Sequence, residues 1–354
     1  ARIVGAVPAG YLSDRFGRQP TLALGGLVTA AGNLWCGLAS SYPEFILARF
    51  AAGVGAGLIV TTGQIVLADI STPARRGRMV AIYQGTFIFA AGVGPFPGGL
   101  LSEHYGLSAP FFAYAIAGVG AGLVAALAVG ETRDTGANAR KATGAPAIST
   151  IQALRRLSRQ IGFVLACMVA LANATVRTGG LFAIVPLVGA SRLGLSVGAI
   201  GFAMAVGTVV GLLAAYPGGI LVDYFGRKAV IAPSTALAGL SFLLFCFAPD
   251  YAWFVAASIA WGVSSSVGGA APSVYAADCA PPGMNATTVS VFRMAGDVGY
   301  VAGPMLLGFV SDAFGPDPAL VAGAVFLVAV GLLFAAFAPE TYRGKDAPPN
   351  GSGG

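Results

Sequence analysis

Charged residues divide this chain into long blank runs. No Asp, Glu, Lys or Arg stands in 19–43, 79–102, 105–130, 229–249, 251–277 or 318–339. Each run exceeds the ~20 residues a helix needs to cross ~30 Å of hydrocarbon. Breaking the chain at charges and turn residues predicts helices near 1–13, 21–40, 44–68, 79–101, 109–130, 161–188, 198–222, 229–248, 252–277, 286–310 and 318–338. The first is too short to span. The one long hydrophilic stretch, 131–160, reads as a linker between helical halves at 1–130 and 161–338. Residues 339–354 read as a polar tail.

The pattern repeats. Shifted by 209 residues, Asp14, Gly17 and Arg18 fall on Asp223, Gly226 and Arg227; Asp69 falls on Asp278, Gly94-Pro95 on Gly303-Pro304, and Glu131-Thr132 on Glu340-Thr341. So long a period in an apolar chain points to a duplicated membrane domain. The same shift leaves the helix at 161–188 without a first-half counterpart. The expectation is a twelve-helix protein with helices 2–12 present here and roughly fifty leading residues missing.

Composition sharpens this picture. Only 10% of the residues are charged and 56% are apolar, far from the balance of a soluble domain. The 52 glycines would weaken soluble helices, but in a membrane they let backbones approach closely. The net charge of +6 does not point to nucleic acid, because of where the cations lie. Arg15, Arg18, Arg75, Arg76, Arg78, Arg133, Arg140, Lys141, Arg155, Arg156, Arg159, Arg227, Lys228, Arg343 and Lys345 fall in alternate loops, whereas the opposite loops hold Arg192. By the positive-inside rule the basic loops are cytoplasmic, which implies a multi-pass protein of the cell membrane. Cys36, Cys167, Cys246 and Cys279 have no zinc-like spacing and read as free thiols, and no metal or organic cofactor is expected.

Residues 8–18, Pro-Ala-Gly-Tyr-Leu-Ser-Asp-Arg-Phe-Gly-Arg, match 217–227, Pro-Gly-Gly-Ile-Leu-Val-Asp-Tyr-Phe-Gly-Arg, at seven of eleven positions. This doubled loop resembles the signature of the major facilitator superfamily. The resemblance covers the whole chain and implies an all-α polytopic membrane fold of two six-helix pseudo-repeats. It further implies that the aspartate caps a helix across the seam between halves, while the arginine pairs with an acid ending another helix. Here that conformational lock would be Asp14, Arg18 and Asp69, with Asp223, Arg227 and Asp278 as its second copy. Gln19 and Tyr224 depart from the family's basic residues. The bland alternative is a tight turn with topogenic charge.

A second motif, Gly94-Pro95-Phe96-Pro97-Gly98-Gly99, demands a kinked, closely packed helix. It is similar to the core of the motif marking drug:proton antiporters, with Ala81 and Ala90 where glycines are usual, and Gly303-Pro304 echoes it in the second half. The charge-free helices at 21–40, 109–130, 229–248 and 318–338 correspond to peripheral, lipid-facing helices of that family.

A few polar residues interrupt the spans. Arg49 begins an Arg-x-x-x-Gly-x-Gly pattern continued by Gln64, and either faces a cavity or snorkels to the nearby boundary. Arg177 precedes Thr178-Gly179-Gly180 in mid-span, where it suits an anionic or polar ligand, or a carboxylate on the missing first helix. Arg293 and Asp297 share one helix face, either as an ion pair or with Asp297 as a proton carrier. Together Arg49, Gln64, Arg177, Arg293 and Asp297 make the candidate proton and substrate pathway. The expected function is proton-coupled efflux of small molecules by a monomer in the lipid bilayer, with the proton gradient as driving force and no enzymatic activity. Uptake of a sugar or other metabolite is the alternative, suggested by Pro339-Glu340-Thr341. A non-transporting receptor or scaffold on the same fold is the third.

Overall fold

The computed structural model describes residues 9, 11–13, 15–70, 76–132, 157–269, 271–280 and 285–341. Among them all regular structure is helical: α1 Arg18–Leu38, α2 Tyr42–Ile70, α3 Arg76–Val93, α4 Pro95–Tyr105, α5 Ala109–Ala128, α6 Ile161–Thr175, a π-helical segment Val176–Ile184, α7 Val185–Leu193, α8 Val197–Phe225, α9 Arg227–Cys246, α10 Tyr251–Val267, α11 Ala271–Asp278, α12 Asn285–Phe314 and α13 Pro316–Phe337. Ten segments of the described residues are long and apolar enough to cross a membrane. They correspond to the ten helices predicted between 21 and 338. The predicted helix at 1–13 lies mostly outside the described residues.

Three predicted helices are interrupted where glycine and proline cluster. The 79–101 helix breaks at Gly94 between α3 and α4. The 161–188 helix widens into the π segment around Gly179-Gly180, and the 252–277 helix stops at Val267 and resumes at Ala271. In each case glycine lacks the side chain that would shield the backbone, and proline removes a donor, so the regular ladder ends there.

The residues form two compact units, Ala1–Ala90 with Pro97–Ala145, and Ala91–Phe96 with Pro146–Gly354. In the first, α1 packs against both α2 and α5. Small residues make these contacts close: a Cβ on Gly26 would lie 2.6 Å from the Gly122 Cα, and one on Gly118 would lie 2.9 Å from the Ala30 N. Such smooth surfaces suit association in lipid, where packing must replace the hydrophobic drive.

In the second unit, α8 and α10 meet at Gly207 and Gly262, and α9 lies along α13. Its centre is aromatic. Phe242 sits edge-on to Trp261 with ring centroids 4.6 Å apart, and Phe245 meets Phe254 at 5.2 Å. The helices expected at the periphery expose large apolar side chains, among them Leu27 on α1, Leu127 on α5, Leu237 on α9 and Leu332 on α13. In water such surfaces would aggregate; against lipid they are neutral. On the end of the second unit away from the basic loops, Arg192 donates to the carbonyls of Phe245 and Cys246 and pairs with Asp317. That guanidinium ties the ends of α7, α9 and α13 together.

Candidate functional site: two clasps and a polar stripe

The turn before α1 forces Gly17 to φ 102°, a conformation that side chains resist. Glycine offers no capping oxygen, so the first amides of α1 need an acceptor from elsewhere. Glu131 supplies it. Its carboxylate accepts from the Arg18 N at 2.9 Å and the Gln19 N at 3.3 Å, where the positive helix terminus favours an anion. A Cβ on Gly17 would collide with that carboxylate. Arg18 turns back along the helix end: Nε meets the Asp69 Oδ2 at 3.0 Å and Nη1 donates to the Ser13 carbonyl at 2.9 Å. Thr132 Oγ1 donates to the same Asp69 oxygen at 3.3 Å. The Gln19 amide adds a bond to the Ala126 carbonyl at 2.6 Å.

The second unit repeats this clasp. Gly226 has φ 94°, and Glu340 accepts from the Arg227 N at 3.2 Å and the Lys228 N at 3.1 Å. Arg227 Nε lies 3.2 Å from the Asp278 Oδ2, to which Thr341 Oγ1 also donates at 3.2 Å. The arginine–acid pairs expected from the doubled motif are thus formed within each unit. Asp14 lies outside the described residues, as does the side chain of Asp223, so the aspartate part of the lock does too.

The sequence reading missed Glu131 and Glu340 as clasp members, although both stood out in the repeat. The signal was a helix start preceded by glycine, with no side-chain cap of its own. Cys279, next to Asp278, has its thiol pushed up to about 11, by burial first and the Asp278 charge second. It is inert at neutral pH, as a free structural cysteine should be.

The kink motif divides between units. Gly94 is the turn between α3 and α4, and residues 91–96 cluster with the second unit, where Phe96 stands edge-on to Phe202 at 5.4 Å. Gly99 is buried, while a Cβ on Gly98 would meet nothing within 4 Å. In the echo, Gly303 touches the backbone of Thr175 on α6, one residue before the helix-internal Pro304.

The candidate pathway residues are scattered. Arg49 is exposed, with its guanidinium 5.8 Å from the centre of the Phe111 ring, a boundary cation–π contact. Gln64 is half-buried further along α2. Arg293 is exposed and Asp297 half-buried on α12, yet this pair is not among the ion pairs joining described residues. Gly299 and Gly303 bring α12 against α6, and Arg293, Asp297 and Tyr300 lie about a quarter turn round the helix from that contact. Arg177 lies half-buried in the π segment.

A groove of about 750 Å³ between α8, α9 and α10 is lined by none of these residues. Its Ser234 and Ser241 return their hydroxyls to carbonyls of their own helix, leaving an apolar face. It suits lipid better than a polar ligand.

These features define a polytopic membrane protein of duplicated helical halves, each clasped at the basic-loop end. The profile of the Major Facilitator Superfamily matches residues 1–211 and 167–353. The chain belongs to that superfamily and is a transporter of its kind, not an enzyme. It is 22% identical over 334 residues to an uncharacterised MFS-type transporter of Methanocaldococcus jannaschii, covering 94% of this chain and 85% of the relative. It is 26% identical to multidrug resistance protein MdtL of Shewanella oneidensis over 67% of this chain and 58% of the relative. Among solved structures, a D-xylose-proton symporter superposes with a TM-score of 0.73 at 18% identity, covering 96% of this chain and 85% of that one. A POT family transporter in complex with 5-aminolevulinic acid gives a TM-score of 0.75 at 14% identity, with the same coverage.

Proposed function

We propose that this transporter exports small molecules across the cell membrane in exchange for protons, by alternating access, with its basic loops in the cytoplasm. The kinked Gly94–Gly99 helix carries the reading: its pattern resembles the core of the motif marking drug:proton antiporters, and the likeness to MdtL supports it. Asp297 is the proton carrier of this reading, because an acid within a span is costly unless it has a function. The clasps hold each helical unit rigid while the units exchange access.

Proton-gradient-driven flux in proteoliposomes tests this with a panel of lipophilic drugs and sugars. Drug movement against the proton flow is expected. Sugar or metabolite movement with the protons would replace export by uptake, and no flux of either kind would sink both. Asp297→Asn should abolish proton coupling; undiminished proton-driven flux would remove Asp297 from the mechanism.

A further inference from the structure

The π segment carries a cation that no described residue of its own unit neutralises. Val176 is fully buried beside Gly323 of α13, Gly179 touches Gly303 of α12, and Gly180 lies against the Phe242 ring of α9. Three helices therefore take one side of the segment. Arg177 and Asn173, a turn before it, are half-buried, while Thr178 lies against Gly303 of α12. Thr178 Oγ1 and Asn173 Nδ2 are bound to carbonyls of their own helix, at Ala174 and Val169. No hydrogen bond or ion pair joins Arg177 to any described residue.

A guanidinium in mid-span is too costly to face lipid, so it meets water, a ligand or an acid beyond the described residues. The π geometry strengthens the point, since such widened turns cost helix stability and recur at functional sites. Arginine is also the side chain that holds carboxylates and sulfonates in a two-pronged grip.

We propose that Arg177 receives an anionic group of the transported molecule, so that the substrate class is organic anions bearing a carboxylate or sulfonate. This rests on the transporter reading but is tested without it. Asn173→Cys places a thiol one turn from the guanidinium, to be labelled with a sulfonate-bearing and a trimethylammonium-bearing methanethiosulfonate and read by peptide mass spectrometry. Relative to a free thiol, the anionic reagent should be favoured about tenfold or more, as charged clefts concentrate counter-ions. Arg177→Gln should return the ratio to that of a free thiol, and Arg177→Lys should keep the preference. Ala170→Cys, half-buried and seven residues before Arg177 on the same helix face, serves as a second reporter if the first variant does not fold. No labelling by either reagent, or a preference that survives Arg177→Gln, overturns the proposal. Charge-selective labelling in a protein that moves nothing across vesicles would retain the anion site and sink only the efflux reading.

Discussion

The two clasps use the same residues 209 positions apart and are not equally firm. In the first, the Arg18 side chain is 4% exposed and that of Asp69 11%; in the second, Arg227 is 19% exposed and Asp278 33%. In the first, Arg18 also donates to the Ser13 carbonyl and Gln19 to that of Ala126. Its acid ends a continuous 29-residue helix, whereas Asp278 ends the eight-residue α11, severed from α10 at Gly268-Gly269. Duplication made two joints from one design. Burial and an unbroken helix predict a firmer first joint; partial exposure and a helix break predict a second that releases more readily.

The largest difference should come from removing the arginines. Arg18→Ala strips the largely buried Asp69 of its counter-charge and leaves it Thr132, and breaking a buried pair costs about 3–5 kcal/mol. Arg227→Ala breaks a partly solvated pair, for which about 1 kcal/mol is the scale. Thermal unfolding of the purified variants should therefore show a much lower midpoint for Arg18→Ala. Equal losses would erase the distinction between the joints.

Removing the caps comes next. Glu131→Ala and Glu340→Ala each strip the acceptor from two helix-start amides, at about 0.5–2 kcal/mol. Here the joints should behave alike, because both caps bond the same two amides. A large difference between the variants would place the asymmetry in the caps instead of the ion pairs.

What the sequence made legible follows from the same physics. Spans were readable because charge is expelled from hydrocarbon, which is why the blank runs anticipated α1, α5, α9 and α13. The arginine–acid pairs were readable because they repeat. The interruptions were harder, since glycine serves both packing and breaking: Gly207 and Gly262 hold intact helices together, whereas Gly268-Gly269 ends one. Glu131 was hidden for another reason. It looks like the first charge of a linker until the fold brings it to an amide 113 residues away. The spacing of Arg293 and Asp297 permitted a pair that the side chains do not make.

The hinge offers a smaller effect, on rate instead of stability. A Cβ on Gly269 would lie 3.3 Å from the Ser265 carbonyl, close enough to stiffen the break without a severe clash. Gly269→Ala should slow turnover in vesicles several-fold and leave the unfolding midpoint nearly unchanged. The equivalent substitution 209 residues earlier, Val60→Ala, lies inside continuous α2 and should leave turnover as it was. If both variants turn over normally, the break is not a moving part.

The smallest effect is also the most selective reporter of the second joint. At pH 8 the Cys279 thiol, raised to about 11, is almost wholly protonated and should alkylate slowly, with a rate that climbs as pH approaches that value. Arg227→Ala has two opposing consequences. It leaves Asp278 unneutralised, which holds the thiol up, and it loosens α11, which lets water in. Burial is the larger cause of the raised value, so loosening should prevail and bring the thiol down toward its ordinary range. Alkylation of Cys279 at pH 8 should then accelerate in Arg227→Ala and not in Gln19→Ala, which weakens only the first clasp. An unchanged rate in Arg227→Ala would mean that the second joint stays shut without its ion pair, and that Glu340 alone suffices to hold it.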